Sequence, residues 1–511
     1  KVTFVGYKPY VSEALALTRQ APRADLGDIR LVPDTAQLEG VEVTAEREAV
    51  TFAIDRTVYN VKDQPVSLGG SATDVLQNVP SVEVDGEGKV SLRGNQNVAI
   101  LINGKPAPVR GDFLPAFLQQ IPSSMIERVE VIPNPSAKYD PDGMAGILNI
   151  VLRQDAELGL GGGISLSAAT GDKYNASGNL TYQKGRLTLA GSYGYRNDQR
   201  ENGGYNFREN RYSTPLTFLE QNSDGLRKNT SHLVNLSADY GLSDRNTLSA
   251  SAMLSTGDGR NRDRNVYEQL DDRSTMTGGF DRITTGDGNR FNMDYRLTFR
   301  RVVEPSTNEL VAEVRFNREA DDDFNTYTQH LFDEAGMPLD EPSLLQHNDL
   351  TSRENEWTFQ VDYTRPLGGL KLETGLKSTL RRLDNDFFSE TYDPDQKRFV
   401  PDVDLNNEFV YDEQVHAAYG ILSGGVGRWE AQAGLRAEQA LTDFNLETTG
   451  ETFDNDYFSL FPSVFVAYKL ADTRQVKLSY SKRIQRPRTR MLNPFPRLND
   501  PLNLFVGNPR L

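Results

Sequence analysis

The chain has 511 residues, with 56 Lys and Arg against 72 Asp and Glu, a formal net charge of -16, no Cys and a mean hydropathy of -0.56. The acidic balance excludes a nucleic-acid groove, which needs clustered positive charge to displace counterions, and the lack of thiols excludes disulfide frameworks, thiolate zinc sites and cysteine nucleophiles. No apolar run approaches the ~18–20 residues of a spanning helix, whereas a membrane β-barrel passes this filter because its outward and inward residues alternate and average to a polar composition.

Residues 1–36 alternate and turn like the last strands of a small β-sandwich, with Val2, Phe4 and Tyr7, then Leu15 and Leu17, then Ile29 and Leu31 before Pro33. The segment is too short for its own core. It opens in mid-strand, and Gly507 to Leu511 stops without a terminating element, so the chain reads as a fragment truncated at both ends. Residues 37–50 follow. Here Leu38, Val41, Val43, Thr44 and Ala45 make a short alternating stretch flanked by polar residues, a strand awaiting a partner sheet by β-augmentation.

Residues 51–155 read as a mixed α/β unit. Helical spacing places Val75, Leu76 and Val79 on one face of Ala72–Val79, which stops at Pro80. Strands are predicted at Val82–Val84, Val90–Arg93 and Val98–Ile102, the last closing on the Asn103-Gly104 hairpin turn. A second short helix over Phe113–Gln120 and strands over Ile126–Ile132 and Ala145–Arg153 complete the unit.

From 156 to 511 the texture becomes long strands that alternate residue by residue. Phe291, Met293, Tyr295, Leu297 and Phe299 share one face of Arg290–Arg300, and Trp357, Phe359, Val361 and Tyr363 share one face of Glu356–Thr364. A soluble sandwich would alternate as well. The connections discriminate: short turns near 183–185, 242–244, 304–306, 366–368, 425–427 and 471–473 alternate with long polar excursions near 197–228, 256–286, 319–350, 383–408 and 442–456. That asymmetry marks an outer-membrane barrel. About 13 strands are counted, an odd open set that cannot close as such a barrel.

Enzyme patterns fail. The four His, at 232, 330, 347 and 416, have no metal-ligand spacing, Gly159–Gly163 opens a strand and not a phosphate-binding helix, and nucleophile-elbow and P-loop motifs are absent. No catalytic residue, cofactor or resident metal is expected. Residues 319–349 hold nine carboxylates and no Lys or Arg, which reads either as a hydrated surface loop or as a site attracting a cation. Lys482–Arg490 is rich in Arg and is expected to follow the last strand outward, for contact with ligand or lipid headgroup or simply for loop solvation.

The order Asp74-Val75-Leu76, Val79-Pro80-Ser81-Val82, Ser91-Leu92-Arg93-Gly94, Leu101-Ile102-Asn103-Gly104-Lys105-Pro106, Ile126-Glu127-Arg128-Val129-Glu130-Val131-Ile132 and Pro135-Ser136-Ala137 to Gly146-Ile147-Leu148-Asn149-Ile150 resembles the plug domain of TonB-dependent receptors. Leu38–Arg47 resembles a TonB box. Val5-Gly6-Tyr7-Lys8-Pro9-Tyr10 with Asp25–Leu31 resembles the end of a carboxypeptidase-regulatory-like domain, a generic edge hairpin being the other reading. The resemblance implies a mainly β protein integral to the Gram-negative outer membrane, with an α/β plug inside an antiparallel barrel that the family closes with 22 strands. Implied partners are TonB, outer-membrane lipid and an unknown imported ligand, with no nucleic acid. The alternative function is a passive barrel or surface adhesin.

The resemblance also implies site residues. Leu38, Val41, Val43, Thr44 and Ala45 would contact TonB. Arg93 and Arg128 would form ion pairs with barrel carboxylates, for which Glu356, Glu430 and Glu438 are the candidates; pairing inside the plug with Glu127 or Glu130 is the competing reading. Asn95, Gln96, Asn97, Arg110 and Asp112 lie in plug turns that would face the ligand.

Overall fold

The computed structural model describes residues 50–61, 71–85, 88–107, 114–121, 123, 126–141, 146–152, 159–212, 214–304, 308–339, 344–471, 474–487, 489–495, 497–500 and 503–510, together with 10, 11 and 28–30. The chain divides into two compact units, Lys1–Glu48 and Ala49–Leu511. The sandwich reading of residues 1–36 therefore falls almost wholly, and the strand reading of Leu38 to Arg47 entirely, outside the described residues, as do Arg110 and Asp112.

The second unit opens with a six-stranded sheet. Its elements in chain order are β1 (Val50–Phe52), β2 (Thr57–Asn60), α1 (Ala72–Gln77), β3 (Val82–Val84), β4 (Val90–Leu92), β5 (Val98–Ile102), β6 (Lys105–Pro106), α2 (Leu114–Gln120), β7 (Ile126–Ile132) and β8 (Gly146–Leu152). The sheet runs β1-β2-β7-β8-β5-β6, and β3 pairs with β4 in a separate hairpin. Every element expected between 72 and 153 is present within two residues of its expected bounds. The Asp74 carboxylate caps α1, accepting from the Ser71 backbone N–H at 2.7 Å. At the β5–β6 turn Asn103 and Gly104 both adopt positive φ, 52° and 77°, and Asn149 Oδ1 accepts the Gly104 N–H at 2.8 Å. Val75, Leu76, Leu118, Ile126, Val129, Leu148 and Ile150 form the sealed core beneath both helices.

The second sheet has 14 antiparallel strands and is open. They are β9 (Leu160–Ala169), β10 (Lys173–Lys184), β11 (Leu187–Asn210), β12 (Thr217–Gly241), β13 (Asn246–Leu270), β14 (Met276–Glu304), β15 (Asn308–Phe332), β16 (Leu344–Leu367), β17 (Leu370–Asp393), β18 (Arg398–Pro401), β19 (Asn407–Val426), β20 (Trp429–Leu446), β21 (Glu451–Ala471) and β22 (Arg474–Ser481). Thirteen run consecutively from β9 to β22, and the short β18 pairs only with β17. Beyond β22 lie α3 (Thr489–Leu492), β23 (Arg497–Asp500) and β24 (Asn503–Phe505).

Burial settles which side of this sheet is which. In β14, Tyr295 and Leu297 are 41% and 50% exposed, while Asp294, Arg296 and Thr298 between them are 5%, 8% and 2% exposed. In β16, Trp357, Phe359, Val361 and Tyr363 are likewise outward and Thr358 is buried. A soluble sandwich buries its apolar face; this sheet presents that face outward and keeps its polar face inside, the arrangement a lipid surround requires.

The long excursions expected between strands are a correction. Residues 197–228 are paired backbone up to Asn210↔Thr217, and β13–β14 and β15–β16 stay paired up to Leu270↔Met276 and Gln329↔Leu344. Strands of 24 to 29 residues result, against the ~9–11 that cross a bilayer. These extensions carry polar residues on both faces and so lose the alternation that marks a strand in sequence. Ladder hydrogen bonds and cross-strand pairs such as Phe207–Phe218 and Tyr267–Phe280, with centroids 5.6 and 4.5 Å apart, hold them together. The acidic stretch is one of these ribbons. Asp321 pairs with Arg290 at 2.9 Å and Asp322 with Arg353 at 2.6 Å, both arginines lying on neighbouring strands.

Candidate functional site: the contact between plug and wall

The β7–β8 connection carries the small sheet onto the inner face of the large one. Pro133 and Pro135 keep it from continuing as strand, and its small residues let it approach closely. Ala137 packs on Tyr419 and Ile421. A Cβ at Gly434 of β20 would stand 3.1 Å from the Ala137 Cβ and 2.9 Å from the Ser463 Oγ, so glycine is what admits the loop. Asn134 Nδ2 donates to Ser479 Oγ at 2.8 Å, and Lys477 Nζ donates to the backbone carbonyls of Ala53 and Arg56.

Asp140 ends this loop between two cations of the wall. Its Oδ2 is 2.5 Å from Lys377 Nζ on β17 and its Oδ1 is 2.8 Å from Arg436 Nη2 on β20. Burial among protein atoms pushes its carboxyl up, but Lys377 and then Arg436 outweigh that and hold it at about 2. Arg436 also donates Nε to Glu438 Oε1 at 2.6 Å, and Glu438 Oε2 accepts from Arg486 Nη2 at 2.6 Å. Arg436 and Glu438 are each only 2% exposed. Buried charges so placed are tolerated because each is paired and hydrogen-bonded. A cleft of about 560 Å³ opens over this cluster, bounded also by Arg381, Glu354, Glu413 and Thr489.

The structure does not bring the expected ion-pair partners together. Arg128 pairs with Glu127 at 3.2 Å and Glu130 at 3.0 Å, inside the plug. Glu130 is also held by Arg56 at 2.8 Å and by Asn149 at 3.0 Å; burial pushes its carboxyl up, and Arg56 with these hydrogen bonds brings it below the usual range. Arg93, at φ 54°, is exposed, with no ion pair among the described residues. On the wall, Glu356 faces Arg315 at 3.6 Å and Glu430 faces Lys469 at 2.5 Å. Glu438 does belong to the plug–wall cluster, one guanidinium removed from the plug. The polarity is the reverse of that expected: the plug offers the carboxylate and the wall the cations.

Asn95, Gln96 and Asn97 are exposed in a tight turn, with Asn95 Oδ1 accepting the Asn97 N–H at 2.9 Å. Lys482–Arg490 turns inward, contrary to expectation, through Arg486. Sequence reasoning missed Asp140, Lys377 and Arg436. Arg436 had a usable signal, since it lies two residues before Glu438 on the same polar face of one strand. Asp140, between Tyr139 and Pro141 in an irregular loop, had none. Among the described residues there is no group of three or more Asp, Glu or His placed to hold a metal ion.

An α/β domain docked on the polar inner face of an outward-apolar antiparallel sheet defines a plugged outer-membrane β-barrel protein. The TonB-dependent Receptor Plug Domain family matches residues 50–147 and the Outer membrane protein beta-barrel family matches residues 303–511. The chain belongs to the TonB-dependent outer-membrane receptors and is integral to that membrane. Among solved structures it is similar to the ferric citrate transporter FecA in its unliganded form, at 15% identity and TM-score 0.42 over 83% of this chain and 62% of that one. It is also similar to the ferric yersiniabactin uptake receptor FyuA from Yersinia pestis, at 10% identity and TM-score 0.33 over 84% and 86% of the two chains. A mutant of the ferric enterobactin receptor PfeA from Pseudomonas aeruginosa matches at 11% identity and TM-score 0.27, over 84% and 94%. The chain thus spans about 62% of the length of FecA.

Proposed function

We propose that this receptor imports a scarce or bulky solute across the outer membrane, using energy delivered from the inner membrane by TonB. The observation that carries this reading is the seating of the plug. Loop 133–141 is fixed to the wall by a small set of polar contacts around Asp140 and by one close approach at Ala137. A passive pore has no use for a domain held across its interior, whereas an energised transporter needs one that can be shifted and restored. The chemistry is binding and gating, with no bond made or broken.

TonB would grip the stretch containing Leu38, Val41, Val43, Thr44 and Ala45 by main-chain pairing. Val43→Pro removes an N–H and fixes φ, so it should abolish uptake, while Val43→Ala should be mild. The measurement is growth of a transporter-deleted strain, complemented with each full-length variant, on a panel of single nutrient sources. Equal growth of the proline variant and the parent would remove TonB coupling through this segment, and the panel would name the solute class.

A further inference from the structure

The segment after β22 leaves the sheet early. Ser481 pairs with Ser463, although β21 runs outward to Glu451. From Lys482 the chain crosses the inner face. The Ile484 N–H donates to the Pro141 carbonyl at 3.3 Å, Arg486 reaches Glu438 and also donates to Tyr457 Oη at 2.9 Å, and Arg381 donates to Thr489 Oγ1 at 3.3 Å. Leu492 is buried against Phe409, Tyr411 and Phe444, and Asn493 Nδ2 donates to Asn407 Oδ1 at 3.0 Å. Residues 482–487 and 489–495 thus form a strap fastened at one end beside the plug and at the other on an aromatic patch of the inner wall.

We propose that Arg436 and Glu438 form a two-way latch that couples seating of the plug to seating of the strap. Arg436 holds Glu438 at a single point, Nε to Oε1. The second donor on that edge of the guanidinium, Nη2, is given to Asp140 of the plug, and the second carboxylate oxygen, Oε2, to Arg486 of the strap. Nη2 and Oε2 are each other's natural partners in the two-point guanidinium–carboxylate pair; Nη2 keeps a second hydrogen, so such re-pairing turns the guanidinium toward Glu438 and weakens, without having to replace, its bond to Asp140. If Arg486 withdraws, Oε2 is free to draw Nη2 away from Asp140. If Asp140 withdraws, Nη2 is free to draw Oε2 away from Arg486. Each departure favours the other, and linkage requires the coupling to be equal in both directions. Lys377 holds Asp140 from the other side and has no part in the exchange of partners. Seated, the cluster sets Lys377, Arg436 and Arg486 against Asp140 and Glu438, so withdrawal of Arg486 leaves two cations facing two carboxylates, and no new unpaired charge is buried on the wall.

The test uses the full-length receptor in outer-membrane vesicles without TonB, so that it is independent of energy coupling, and reads amide hydrogen exchange. Asp140→Asn should speed exchange across 489–495 roughly tenfold, and Arg486→Gln should speed exchange across 134–141 by a similar factor. Lys377→Gln should loosen 134–141 but, because Asp140 still holds Arg436 whenever it is seated, should speed exchange across 489–495 much less than Asp140→Asn does. The latch is wrong if Asp140→Asn leaves the strap unchanged, or if Lys377→Gln loosens the strap as much as Asp140→Asn does. Should these variants fail to assemble, a second measurement uses the absence of cysteine from these 511 residues, with any cysteine elsewhere in the full-length receptor replaced by serine. Asn407→Cys with Asn493→Cys, joined by a short thiol crosslinker, fixes the strap in an otherwise parental protein. In urea at the concentration where 489–495 of the uncrosslinked protein is half released, exchange across 134–141 should then slow roughly fivefold, and an unchanged rate overturns the coupling.

Discussion

In β8 of the plug, Ile147, Leu148 and Ile150 are sealed from solvent, whereas in β14 of the wall the apolar Tyr295 and Leu297 stand outward and Asp294, Arg296 and Thr298 are the buried set. Both regions are hydrogen-bonded strands, yet β8 is an apolar run buried on both faces, whereas β14 alternates and buries only its polar half. The difference lies in the surroundings: the plug makes its own apolar interior, and the wall borrows one from lipid. Polarity alone would therefore misjudge either region, and the joint between them has to be polar, because the plug's outer surface meets the wall's inner face.

The sharpest way to break this contrast is to place the same kind of charge on each region. Ile150→Asp buries a carboxylate with no partner and should cost the plug more than about 4 kcal/mol, read as protease sensitivity of residues 50–152 in a receptor whose wall keeps its heat-modifiable migration. Leu297→Arg should cost the wall ~2–4 kcal/mol if it lies at bilayer mid-depth, measured by denaturant unfolding in liposomes. A neutral or favourable effect there would mean that this face meets water.

The joint itself is sharpened by acid. The Asp140 carboxyl is lowered in the seated state, so its contribution is complete above the ordinary carboxylate value and is lost only as pH falls through about 2. Liposome-swelling permeability should stay at the neutral-pH level down to about pH 4 and rise only on further acidification, and Asp140→Asn should raise it at all pH values. Release already complete at pH 5 would show that other groups hold the plug. The smallest effect is expected for Arg128→Gln. Its partners Glu127 and Glu130 lie within the plug and it is partly exposed, so the loss should stay within ~1 kcal/mol with permeability unchanged.

The plug was legible because local rules agree with its tertiary structure: helical spacing ending before Pro80, the Asn103-Gly104 turn, the alternating run at 126–132 and the short apolar run at 146–152. The wall was legible only at membrane depth. Beyond it, stretches such as Arg200–Asn210 with Thr217–Lys228 pair through backbone groups that every residue carries, so side-chain pattern says little about them. The site divides in the same way. Glu438 could be named as an inward carboxylate from strand parity, but its partners depend on where an irregular plug loop and the chain after β22 come to rest. Arg93 and Arg128 sit in family-like motifs, yet Glu127 and Glu130 are closer to Arg128 than any wall carboxylate that could answer it.

The long hairpins have a mechanical consequence. At about 3.3 Å per residue, the 29 residues of β14 extend roughly 95 Å, and each neighbouring pair is locked in register along nearly its whole length. Such a ribbon is a lever and not a tether: a molecule touching its tip moves a paired backbone that continues without interruption into the wall. Among the described residues, the same stiffness should confine nicking by surface proteases, and tolerance of inserted residues, to the turns at 211–212, 214–216, 271–275 and 333–339.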